Sequence, residues 1–78
     1  MMVEVSFKKG GIGSMHSHVN EQISYISKGS FRVTLGEETK ILIQGDSFYV
    51  PAKLSHGVAA LEDSVILDVF TPIRENFL

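Results

Sequence analysis

Cysteine is absent from the 78-residue chain, so no disulfide can staple it, and tryptophan is absent as well. Proline occurs twice, at Pro51 and Pro72, too sparsely for a polyproline or linker segment. No apolar run approaches the length that crosses a bilayer, so a membrane partner is not expected. Lys8, Lys9, Lys28, Arg32, Lys40, Lys53 and Arg74 are scattered and outnumbered, 7 − 9 = −2. Without a basic stripe to track phosphates, nucleic acid is not an expected partner either. Glu4 follows Met1, Met2 and Val3 directly, a poor start for a secretory signal, and the expected compartment is the cytoplasm. A chain this short holds one domain, residues 1–78, and buries only about 60% of its unfolded surface. Domains of that size lean on disulfides, a metal or a partner subunit. With the first excluded, a bound metal and a homodimer are the expected stabilisers.

What the sequence does contain is alternation. Val3, Val5 and Phe7 interleave with Glu4, Ser6 and Lys8, and Phe31, Val33 and Leu35 with Arg32 and Thr34, the period of half-buried strands. Gly36-Glu37-Glu38 and Gly45-Asp46 read as turns into strands over 39–43 and 47–50. Ala59 to Asp63 has some helix propensity, but Val58 and Ala60 alternate and Glu62-Asp63-Ser64 is turn chemistry, so the segment is assigned as strand, turn, strand. About eight short strands without a helix predict an all-β domain, a small jelly roll or closed barrel. In the strand over 65–70, Val65, Leu67 and Val69 share one face and Ile66, Asp68 and Phe70 the other. One largely apolar face fills the interior; the second calls for a cover, most simply another subunit.

The three histidines fall as His16 with His18, and His56 alone. An H-x-H pair on a strand points both rings to one side, Gln22 adds an amide oxygen four residues on, and His56 is placed to join from a later strand. Such a set suits zinc, iron, nickel, copper or cobalt better than calcium or magnesium, which want more oxygens. Taken alone, an H-x-H pair is more often ordinary surface or turn histidines than a metal site.

Its context decides between these. Gly10, His16, His18, Gln22 and Gly29 resemble the first motif of the cupin superfamily, G-x5-H-x-H-x3,4-E-x6-G, with Gln in place of the commonest Glu. Gly45, Pro51 and His56 resemble the second, G-x5-P-x-G-x2-H-x3-N, with Lys53 at the inner Gly and Ala60 at the Asn. The stretch Leu67 to Glu75 and the ending Phe77-Leu78 resemble the small cupins of the pectin degradation protein type. That family opens 4,5-unsaturated uronate monosaccharides into linear 5-keto-4-deoxyuronates. The resemblance implies a cupin jelly-roll β-barrel and one divalent transition metal (zinc, nickel, iron, manganese, cobalt or copper) on His16, His18, Gln22 and His56. It implies Asp68 and Arg74 as catalytic groups, and Phe70 and Arg74 as contacts to a small carboxylated substrate. The chain is short before its first motif relative to that family, and Val19-Asn20 stands where a Pro-His pair is common.

The residue chemistry accords with this. Neutral imidazoles and a neutral amide leave a divalent ion its full charge for polarising a bound oxygen. Asp68 can carry a proton, and Arg74 can pair with a carboxylate. The same residues also fit duller roles, Phe70 in the core and Asp68 with Arg74 as an ion pair. Two rival functions stay open: a non-catalytic cupin that binds a small ligand or metal, and a cupin dioxygenase. The second ranks lower because no carboxylate occupies the ligand position of the first motif.

Overall fold

The computed structural model describes residues 1–72, which form eight strands and, among these residues, no helix. They are β1 (Met2–Phe7), β2 (Ile12–His16), β3 (Glu21–Lys28), β4 (Ser30–Leu35), β5 (Glu38–Ile43), β6 (Ser47–Val50), β7 (His56–Ala60) and β8 (Ser64–Thr71). The expected strands are therefore present, with ends shifted by a residue or two. They pair antiparallel as two four-stranded sheets, β1-β8-β3-β6 and β2-β7-β4-β5. This is the jelly-roll arrangement, two facing sheets rather than one continuous ring of paired strands.

The space between the sheets is apolar at one end and polar at the other, and strand register produces the division. Across β3 and β8, Ile26 faces Ile66, Ser24 faces Asp68 and Gln22 faces Phe70. Across β4 and β7, Phe31 faces Ala60, Val33 faces Val58 and Leu35 faces His56. Each of these four strands thus has one end in the core and the other at the site. Ile26, Phe31, Val33, Ala60 and Ile66 are the buried core, with Val5, Phe7, Leu42 and Phe48 packed on it. Phe7 meets Phe31 edge to face at 5.3 Å between ring centroids, and each such ring or branched side chain contributes about 1.5–3 kcal/mol when fully buried.

Two backbone positions shape the loops. Gly29, at φ 81° between β3 and β4, packs so closely on Ser64 and the Asp63 carbonyl that a Cβ would collide with both. Lys53 adopts φ 68°, a left-handed conformation costing a side-chain-bearing residue roughly 1–2 kcal/mol. It stands where the resembling motif has glycine, the residue that takes this conformation without strain.

β3 inverts the usual rule for a half-buried strand. Its polar Gln22 and Ser24 point inward and are buried, while Ile23 and Tyr25 are 55% and 44% exposed. Slipping the register by one residue would bury the apolar pair instead; the hydrogen bonds of the inward polar pair, described next, hold the observed one. Ile23 pairs with Val69 and Tyr49, and Val69 with Met2, so the outer face of this sheet carries a continuous exposed apolar row.

Candidate metal centre

His16 closes β2 and His56 opens β7, and the two are cross-strand partners. His18 lies beyond the strand, in the link between β2 and β3. The expectation of both rings on one strand is thus corrected: the chain leaves the sheet after His16, and the loop folds His18 back. A backbone bond from the Lys53 N–H to the His18 carbonyl, 2.7 Å, ties that loop to the one preceding His56. The outcome is still convergence. Ring centroids are 4.4 Å apart for His16 and His56, 4.8 Å for His18 and His56, and 5.6 Å for His16 and His18. One ligand nitrogen from each ring lies within 4.8 Å of the others.

Backbone carbonyls settle the tautomers. His16 Nδ1 is 2.7 Å from the Ser14 carbonyl, His18 Nδ1 2.9 Å from that of Asn20, and His56 Nδ1 2.9 Å from that of Leu54. A carbonyl only accepts, so each Nδ1 carries the proton and each neutral ring keeps its lone pair on Nε2. Such anchoring of the distal nitrogen is the usual support of a ligating histidine.

Gln22 places an amide oxygen beside the three rings. Its Nε2 donates to Ser24 Oγ at 2.8 Å and to Asp68 Oδ1 at 3.1 Å, so its Oε1 turns the other way, 3.0 Å from His18 Nε2. With His18 protonated on Nδ1, that contact sets two lone-pair atoms against each other, an arrangement relieved by a cation shared between them. The donors fit a divalent transition ion: three imidazole nitrogens and one amide oxygen.

Asp68 and Phe70 stand beside these ligands on the inward face of β8. Phe70 is buried and meets His18 edge to face at 5.7 Å, so it is a core residue and a site wall at once. Asp68 also accepts from Ser24 Oγ at 2.6 Å. A cavity of about 160 Å³ opens here, lined by His16, Gln22, His56, Asp68 and Phe70 at its polar end and by Phe7, Phe48 and Ile66 beneath. His18 adjoins this group through its ring contacts and its approach to Gln22. Arg74 lies outside the described residues. Ser24 went unremarked in the sequence, and Asn20 was noted there only as a departure from a common Pro-His pair. Asn20 is buried and donates through Nδ2 to the Pro72 carbonyl, 2.5 Å, and no signal in the sequence marks Ser24, since alternation along β3 would turn it outward.

The cupin domain profile matches residues 3–70, nearly the whole of the described chain. The chain belongs to the cupin family. Among curated proteins this cupin is 45% identical to the pectin degradation protein KdgF of Dickeya dadantii, over 100% of this chain and 73% of that protein. Among solved structures it matches KdgF from Halomonas sp. with a TM-score of 0.97 at 41% identity, covering 100% of this chain and 73% of that one. An RmlC-like cupin from Shewanella frigidimarina matches with a TM-score of 0.98 at 38% identity, covering 100% and 70%.

Proposed function

We propose that this cupin is a metal-dependent enzyme that converts 4,5-unsaturated uronate monosaccharides into linear 5-keto-4-deoxyuronates by hydration and ring opening. The observation that carries the reading is its likeness, along the whole chain, to a pectin degradation protein. The site supports it. The cavity sets imidazole, amide and carboxylate groups of His16, Gln22, His56 and Asp68 against the rings of Phe7, Phe48 and Phe70, a mixed polar and apolar lining that suits a small polar ligand. A divalent ion held by His16, His18, Gln22 and His56 would supply Lewis-acid chemistry to the site.

The chain's own residues do the rest. Asp68 moves a proton between water and C4 of the sugar, while the water oxygen joins C5 across the double bond. The resulting hemiketal breaks its C5 to ring-oxygen bond, the hydroxyl proton passing to that oxygen, and leaves a ketone at C5. C1, now bearing two hydroxyls, sheds one water as its aldehyde forms, so the water taken up at C5 is balanced and the linear product is an isomer of the substrate. Phe70 offers its ring to the sugar, and Arg74 is assigned to the substrate carboxylate.

We also take the protein to be a homodimer, and a cytoplasmic one as its composition leads us to expect. The dimer is supported by the exposed row of Met2, Val69, Ile23 and Tyr49, a patch of the kind that marks an interface.

The test is loss of the ultraviolet absorbance of unsaturated galacturonate and mannuronate with metal-loaded protein. Turnover by wild type, falling about 10²- to 10⁴-fold in Asp68→Asn at unchanged metal content, is the expected result. A fully loaded wild type that leaves both sugars untouched overturns the assignment and leaves a ligand-binding cupin.

A further inference from the structure

We propose that Ser24 is a positioning residue that sorts the two ends of the Gln22 amide, so that its oxygen rather than its nitrogen faces the imidazoles. The proposal rests on reading the histidine cluster as a metal centre. A glutamine amide has two ends of nearly equal shape, one that accepts and one that donates two hydrogen bonds. Turned half around its last bond, Gln22 would aim N–H groups at a cation and cease to be a ligand.

The structure opposes that rotation with a directed chain. Both hydrogens of Gln22 Nε2 are committed, one to Ser24 Oγ at 2.8 Å and one to Asp68 Oδ1 at 3.1 Å. Ser24 accepts because its own hydrogen goes to Asp68 Oδ1 at 2.6 Å. The sense therefore runs from amide to hydroxyl to carboxylate, and the carboxylate fixes it by accepting only. A flipped amide would set Oε1 against the Asp68 oxygen and would have to draw the Ser24 hydrogen away from Asp68. Ser24 is 0% exposed, so water does not stand in for its hydroxyl. Burial of a small polar side chain between Gln22 and Asp68, on a strand whose apolar Ile23 and Tyr25 face outward, has this role as its physical reason.

Zinc affinity of the full chain, measured by competition with a chromophoric chelator, tests the idea in four proteins: wild type, Ser24→Ala, Gln22→Glu and the double variant. Ser24→Ala should weaken zinc binding about 10- to 100-fold, as loss of a ligand's supporting partner does. In the Gln22→Glu background the same change should cost no more than about twofold, within the usual limit of additivity, because a carboxylate has two like oxygens and needs no sorting. In metal-free wild type the Gln22 side-chain amide protons should exchange slowly with solvent by NMR, and faster in Ser24→Ala. Should that variant not melt cooperatively without metal, Ser24→Cys, which nearly keeps the side chain's shape but replaces the hydroxyl with a weakly bonding thiol, takes its place under the same expectations. Wild-type affinity in Ser24→Ala, or an equal loss in both backgrounds, overturns the role of Ser24. Wild-type protein that binds no zinc overturns the metal centre and this proposal with it.

Discussion

Removing His16 while leaving the fold intact is the sharpest perturbation of the candidate metal centre. His56 is buried and its truncation would open the interior, but His16 is exposed at the end of β2, so His16→Ala costs little packing. Its single anchoring bond, Nδ1 to the Ser14 carbonyl, is local to its own strand. The metal-free variant should therefore melt within the range of ordinary surface substitutions, about 0.5 kcal/mol of wild type. Metal changes the comparison. At zinc one hundred times above its Kd, binding to the folded state alone stabilises by about 2.7 kcal/mol. In a domain of this size each kcal/mol moves Tm by about 4–8 °C, so wild type should gain on the order of 10–20 °C. His16→Ala keeps two imidazoles and the amide, and at the same zinc concentration most of that gain should vanish. Scanning calorimetry with chelator and with zinc measures all four values. Equal zinc-induced gains in wild type and variant would refute the reasoning, as would no gain in wild type.

Other consequences follow from particular residues. Leu67 lies on the outer face of β8 between Glu4 and Tyr25; Leu67→Glu should turn a dimer into monomers by sedimentation, whereas an unchanged species would remove that face from any interface. Lys53→Gly should relieve the left-handed strain at φ 68° and, after the added entropy of glycine, stabilise by about 0.5–1 kcal/mol, read as a higher urea midpoint. Tyr49 donates its hydroxyl to Glu21, and that bond, with loss of hydration and the Glu21 charge, raises the phenol above its usual 10.0. Because the folded value is the higher one, the stabilisation is present below about pH 10 and is lost as pH rises through the raised value. Tyr49→Phe should therefore be the less stable protein at neutral pH, and the gap should close in strong alkali; a gap independent of pH would count against the bond.

Strand content was legible because alternation has a local cause. Val3 to Phe7 and Phe31 to Leu35 announce themselves through side chains that point to opposite faces of one strand. The candidate ligands His16, His18, Gln22 and His56 were legible for a different reason, since donor side chains at fixed spacing leave a pattern in the chain that a fold family shares. By itself, then, the sequence determined an all-β domain, the position of its turns and the identity of a candidate donor set. Which face of each strand looks inward was decided elsewhere. At the site end of β3 the apolar residues are Ile23 and Tyr25, yet Gln22 and Ser24 are the buried pair there, because β8 places Asp68 opposite Ser24 and Phe70 opposite Gln22. His18 likewise left its strand, and only the loop around Lys53 returns it to the other rings. Periodicity reports the side a residue occupies relative to its neighbours in the chain; the side that becomes the interior depends on partners more than forty residues away, and only the packed sheets bring those together.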